Sequence, residues 1–468
     1  MMEIRLDRLE KSPEVKELID GCKKPAIISC RRTQDGGEWN GPEASRLALL
    51  RQAVLDKAAY VEIELDIADQ IRRYGETKRV IAYTNTAEVP DNLVEIYQQA
   101  CSKDPDVVKI TVPARNPQEA WPVIKMLAKG AKPTVAVGWG KSGIMLSVLG
   151  QRYKAPWIYA ALERGMEAYP GMATVVEMEH IYDFRSIDSK TPLLALSGFS
   201  EEQLISARIL NHGFRIAENR TRCLPLEIGE VGLFADVVKA VKLAGIVVDD
   251  PFREKILDVA TELDDAAKLA RAADFVAIKG EDWKAFNTLN RAVVGAIEDA
   301  VKAKNPGIQN AIEGKTFVVV GCSGTARTIA AGLEKKGAII VLADKDNDRA
   351  QRVASSMNAR FVPSGQVYST MCDGMILCRS DRNPQIGKAA IEIPKSCAKE
   401  GMIGVDLTAY PKSTPFLEEV RLLGGIPVPP KGIFLRTMLT ILKAYTGQSY
   451  TPEQFQEIME DIDFERTQ

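Results

Sequence analysis

Residues 315–346 constrain the chain more than any other stretch. Residues 316–320 form a β-branched and aromatic run suited to a buried parallel strand. Gly321-Cys322-Ser323-Gly324 is a tight turn of small residues, 326–333 opens a helix, and 338–342 reads as a second buried strand. Strand, glycine turn, helix and strand within about 30 residues is the layout that aims backbone N–H groups at a pyrophosphate. Gly321, Ser323, Gly324, Thr325 and Ala326 are therefore the expected cradle of a dinucleotide, with Asp344 and Lys345 at its ribose. Asp344 would accept from a 2′-hydroxyl and Lys345 would favour a 2′-phosphate, so NAD and NADP both stay open. Cys322 and Ser323 depart from the usual pattern by placing side chains where the cofactor approaches. The bland alternative is an α/β turn with no ligand.

The 468 residues give room for two or three domains, and a net charge of −2 argues against nucleic acid or a membrane surface as partner. No apolar run reaches spanning length, and the amino terminus is charged. Eight scattered cysteines without CxxC pairs imply a reduced, cytoplasmic protein and no metal site. A homodimer is compatible with the sequence, which does not fix oligomeric state. Only His180 and His212 could serve as imidazole acid–bases.

Before that stretch the chain alternates strands and helices. Strands are expected at 2–6, 26–30, 60–65, 80–83, 107–112, 134–137 and 157–161, with helices at 43–57, 92–102 and 117–129 between them. Repeated βα units over about 180 residues favour a (β/α) barrel, whose chemistry sits at the C-terminal ends of its strands. Arg5, Asp7, Arg31, Glu62, Glu64, Thr84, Lys109 and Lys141 gather there. Lys109 interrupts an otherwise apolar run, VVKITV. A desolvated lysine favours the neutral amine that attacks a ketone. The alternatives are an outward-facing lysine or an ion pair with Glu62 or Glu64.

Glu3-Ile-Arg5-Leu-Asp7, Ser29-Cys-Arg31 followed by Gly36-Gly37, 61–65, Val108-Lys109-Ile110 and Gly140-Lys-Ser-Gly143 together resemble type I 3-dehydroquinate dehydratase. The resemblance covers 1–185 and implies that Lys109 forms a Schiff base, with Glu3, Arg5 and Arg31 binding a cyclic hydroxy-acid substrate. The family's second barrel strand falls on 2–6, which implies either an open seven-stranded barrel lacking its first strand or a start farther upstream. Thr84 stands at the family's catalytic histidine, Ser147 at its carboxylate-binding arginine and Met172 at its glutamine.

From the junction at 182–191 onward the chain resembles shikimate dehydrogenase, in the order of the fused bifunctional enzymes. Ser206 through Asn211 matches the substrate segment, Asn287-Thr288 the G-x-N-T-D place, and 314–327 the glycine turn. The resemblance implies a substrate domain over 186–305, to which 432–468 returns, and a Rossmann domain over 306–431. Ser206, Asn211 and Asn287 are then substrate-binding. Arg253 replaces the catalytic lysine and Leu289 its aspartate partner. An arginine stays protonated near neutral pH, so Arg253 suits anion binding better than proton transfer. The activities implied are dehydration of 3-dehydroquinate through a lysine Schiff base and NAD(P)-dependent reduction of 3-dehydroshikimate. The alternatives are a paralogue with altered chemistry and a non-catalytic regulatory protein.

Overall fold

Alternating apolar strands and amphipathic helices bury their apolar surface most completely as helix-covered parallel sheets. The computed structural model describes residues 1–10, 14–198, 200–227, 229, 231–380, 388–394 and 397–467. It comprises two units, Met1–Thr191 with Asp236–Lys242, and Pro192–Ala235 with Leu243–Gln468.

In the first unit β1 (Met2–Arg5), β2 (Ala26–Ser29), β3 (Tyr60–Glu64), β4 (Lys78–Thr84), β5 (Val107–Pro113) and β6 (Thr134–Trp139) form one parallel sheet in sequence order. Every residue of β5 is buried. Met2 and Glu3 of β1 line the same cavity as Val137 and Trp139 of β6, so the sheet curls into a half-barrel. The expected strand at 157–161 is absent; only Ala161 makes a bridge, to Thr174. Its aromatic side chains explain why. Trp157 packs edge-on to Tyr60 at 5.2 Å, and Trp157, Tyr159 and Tyr169 cover Val80, Val107, Val135 and Val137. The segment fills the hollow of the sheet instead of extending it. The open sheet therefore has six strands, not seven.

In the second unit β7 (Leu193–Leu196), β8 (Arg222–Pro225), β9 (Leu243–Val247), β10 (Glu262–Leu263), β11 (Phe275–Lys279) and β12 (Asp282–Phe286) form a mixed sheet, ordered β10-β12-β11-β9-β7-β8. β13 (Thr316–Val320), β14 (Ile339–Ala343), β15 (Arg360–Phe361), β16 (Gly374–Leu377), β17 (Ile403–Asp406) and β18 (Ile426–Pro427) form a second, wholly parallel sheet. Its order, β15-β14-β13-β16-β17-β18, is the 3-2-1-4-5-6 arrangement of a doubly wound fold. Alternate residues of β13 serve opposite faces. Phe317 and Val319 pack with Ile329 and Val293, whereas Val318 and Val320 pack with Met375 and Cys397. Among the described residues no helix is long and apolar enough to cross a membrane.

Candidate functional site

Two centres arise, one in each unit. In the half-barrel, strand alternation turns Glu3, Arg31, Glu62 and Lys109 toward the hollow. Lys109 is 3% exposed, and its Nζ donates to Glu62 Oε2 at 2.7 Å and to Tyr159 Oη at 3.3 Å. Glu3 Oε2 lies 4.0 Å from the same nitrogen. Arg31 grips Glu62 through Nε at 2.6 Å and Nη2 at 3.1 Å, and also donates to Glu3, which accepts from the Ser29 hydroxyl at 2.7 Å. The ion pair weighed for Lys109 in the sequence is thus the one that forms. Burial alone would raise the Glu62 carboxyl, but the Arg31 guanidinium and Lys109 ammonium pull it down to about 2. Arg5 is held by Asp7 at 2.9 and 2.6 Å. Around these groups lies a cavity of about 470 Å³, walled by Trp139, Trp157, Tyr159 and Tyr169. Thr84 lines a different cavity, with Arg32, Asp35 and Asp66.

The second centre lies within the second unit and is much smaller. About 40 Å³ is enclosed by Glu202, Ser206, Asp249, Asp250, Arg253, Asp274, Leu289, Thr325, Arg379 and Tyr410, among others. That volume holds only a few waters, at about 10–15 Å³ for each. Ser206 donates to the Glu202 carbonyl at 2.9 Å. Asn211 and Asn287 do not line this space. Asn211 pairs with the backbone of Cys223 at 3.0 and 2.6 Å, and Asn287 donates to the Ala272 carbonyl at 2.9 Å and Thr328 Oγ1 at 2.7 Å. His212 contacts the Gln454 carbonyl at 3.1 Å and the Phe455 ring, a packing role.

Sequence reasoning missed Glu202 and Asp274. Glu202 forms an ion pair with Arg379 at 3.1 Å, and burial, with Asp249 nearby, pushes its carboxyl up to about 7. Asp274 accepts from the Thr288 and Leu289 N–H groups at 2.7 and 2.5 Å. Its sequence signal was an acid between apolar residues; for Glu202 the signal was its place one helical turn before Ser206.

The glycine turn is sealed. Gly321 has φ +117°, a conformation that glycine accepts readily. A Cβ on Gly324 would lie 3.1 Å from the Arg253 Cβ and 3.2 Å from the Ala272 Cβ. Cys322, Ser323, Gly324, Thr325 and Ala326 are all buried. Arg253 donates to Thr325 Oγ1, which donates to Asp250 Oδ1 at 2.5 Å. Arg327 adds an ion pair to Glu254 at 2.6 Å. Asp344 is buried and accepts from the Asp346 N–H at 3.0 Å; Lys345 is exposed. Packed this way, the turn is covered by Arg253, Asp250 and Ala272 of the same unit.

The comparisons with known proteins follow this division. The model of type I 3-dehydroquinase matches residues 1–189. A 3-dehydroquinate dehydratase of Thermococcus gammatolerans is 34% identical over 188 residues, 39% of this chain and 85% of that protein. Residues 1–189 belong to the type I 3-dehydroquinase family. The rest of the chain is shikimate dehydrogenase-like in fold. The shikimate dehydrogenase structure of Aquifex aeolicus covers 58% of this chain and 98% of its own, with a TM-score of 0.50 at 21% identity. Both parts align with the chloroplastic bifunctional 3-dehydroquinate dehydratase/shikimate dehydrogenase of Arabidopsis thaliana, 25% identical over 482 residues, covering 98% of this chain and 79% of that protein. The type I 3-dehydroquinase unit and the open Lys109 cavity therefore coincide.

Proposed function

We propose that Lys109 condenses with the ketone of a cyclic hydroxy-acid of the 3-dehydroquinate class to give a Schiff base. The observation that carries this reading is a buried primary amine on the wall of a cavity of about 470 Å³, inside the unit that belongs to the type I 3-dehydroquinase family. Glu62 and Arg31 fix the amine's position, and loss of its proton to solvent or to an incoming ligand frees the nitrogen lone pair for addition. An imine then withdraws electrons from the neighbouring carbon and eases removal of its proton. Completing the dehydration to 3-dehydroshikimate needs a proton carrier, a role for which the Thr84 hydroxyl is poorly suited near neutral pH.

Similarity to bifunctional enzymes over 98% of the chain favours a second reading, in which the C-terminal unit reduces 3-dehydroshikimate with NADP or NAD. The sealed glycine turn and the absence of a titratable partner at Leu289 weigh against it. We therefore favour an altered paralogue: imine chemistry at Lys109 and no hydride transfer at the C-terminal unit. Borohydride reduction in the presence of 3-dehydroquinate tests the first half, with a covalent mass adduct on Lys109 expected and its absence excluding it.

A further inference from the structure

Imine formation needs a proton for the oxygen that leaves, and the half-barrel offers few sources near Lys109. Glu62, at 2.7 Å, is held as a carboxylate by Arg31 and Lys109 and has no proton to give near neutral pH. Glu3 is tied to Arg31 and to the Ser29 hydroxyl. Thr84 lines another cavity. Tyr169 lines this one, but its hydroxyl is engaged by Ser147. Tyr159 also has a side chain, Trp157, beside its hydroxyl, but unlike that of Tyr169 this hydroxyl reaches the amine. Its hydroxyl is 3.3 Å from Lys109 Nζ, and its ring lies within 4.9 Å of that nitrogen, measured to the centroid.

We propose that Tyr159 is the catalytic acid–base of imine formation, doing at the Lys109 nitrogen what the family's histidine would do. This rests on the Schiff-base reading above. Lys109 Nζ adds to the carbonyl carbon, the C=O π pair moves to oxygen, and a proton passes from nitrogen to that oxygen to leave a neutral carbinolamine. Tyr159 then gives its phenolic proton to the carbinolamine hydroxyl. The C–O bond breaks with its electron pair on the departing water, and the nitrogen lone pair closes the C=N bond. The phenolate recovers a proton from the iminium nitrogen. The sum is amine plus ketone to imine plus water, with no change of oxidation state. Burial and the nearby Glu3 and Glu62 carboxylates raise the Tyr159 phenol, so it enters the step protonated; the same shift opposes its phenolate, which the iminium formed on Lys109 beside it offsets.

The test is a time course of adduct formation with 3-dehydroquinate, quenched by borohydride and read by intact mass, for wild type, Tyr159→Phe, Tyr169→Phe and Lys109→Met. Phenylalanine keeps the ring that packs in the hollow and removes only the proton. Tyr159→Phe should slow adduct formation by about 10²-fold or more while reaching the wild-type final extent. Tyr169→Phe, at the cavity wall but away from the amine, should slow adduct formation far less than Tyr159→Phe, and Lys109→Met should give no adduct. A purely structural role for Tyr159 would lower the final extent without slowing the approach to it. Tyr159→Phe reacting at the wild-type rate would overturn the proposal and leave the Lys109 reading standing. Wild type giving no adduct would overturn both.

Discussion

The Lys109 ammonium and the Glu62 carboxylate lie 2.7 Å apart, and Glu62 is the member of the pair with a second cation, Arg31, on it. Substitutions at the two positions are therefore unequal. Removing one partner of a buried pair costs roughly 3–5 kcal/mol because it leaves an uncompensated charge. Glu62→Gln strands both Lys109 and Arg31, leaving Glu3 as their nearest remaining carboxylate, and should lower stability by roughly 3 kcal/mol. Lys109→Met leaves Glu62 on Arg31 and should cost less. Denaturant unfolding of the two variants checks the order; a larger loss for Lys109→Met would contradict the geometry.

Glu62 and Glu202 should move stability with pH in opposite senses. The folded Glu62 carboxyl sits at about 2 against an ordinary 4.5, so its contribution is present above 4.5 and is lost as pH falls toward 2. The folded Glu202 carboxyl sits at about 7 against the same 4.5, so its contribution is present below 4.5 and is lost as pH rises through 7. Glu202→Gln should therefore flatten the fall in melting temperature between pH 4.5 and 7 and raise it at pH 8. An unchanged slope in thermal melts of the variant would show that the half-buried Glu202 carboxyl is not raised.

Gly324→Ala probes the sealed turn. The added methyl meets two Cβ atoms, on Arg253 and Ala272, which no rotamer change can move away. Overpacking of this kind costs about 1–3 kcal/mol. A variant as stable as wild type would mean that Arg253 and Ala272 give way by the few tenths of an ångström the methyl needs.

Much of the fold was legible in the sequence. β13 falls on the residues expected, because a short β-branched run that leads into a glycine turn has few alternatives in a parallel sheet. The segment 157–161 misled because a strand's alternation of aromatic and aliphatic residues also serves a segment that packs its rings across a curled sheet. The glycine turn was legible as a turn, but its ligand was not. Small residues are required both where a pyrophosphate approaches and where another part of the same unit does, and the local sequence does not separate the two. Tyr159 escaped notice since it becomes distinctive only through a long-range neighbour, Lys109, and the local signal of Glu202 gains meaning only through Arg379.

Nicotinamide fluorescence should show no saturable change when NADPH or NADH is titrated with the protein, if the Arg253, Asp250 and Thr325 chain holds over the turn that a pyrophosphate would approach. Saturation with either dinucleotide would show that this packing yields, and would restore the dehydrogenase reading of the C-terminal unit.

Borohydride trapping with 3-dehydroquinate, followed by peptide mapping, tests the central claim most directly. A single adduct on the peptide carrying Lys109, lost in Lys109→Met, is the predicted result. An unmodified Lys109 after prolonged reduction with excess ketone would contradict it.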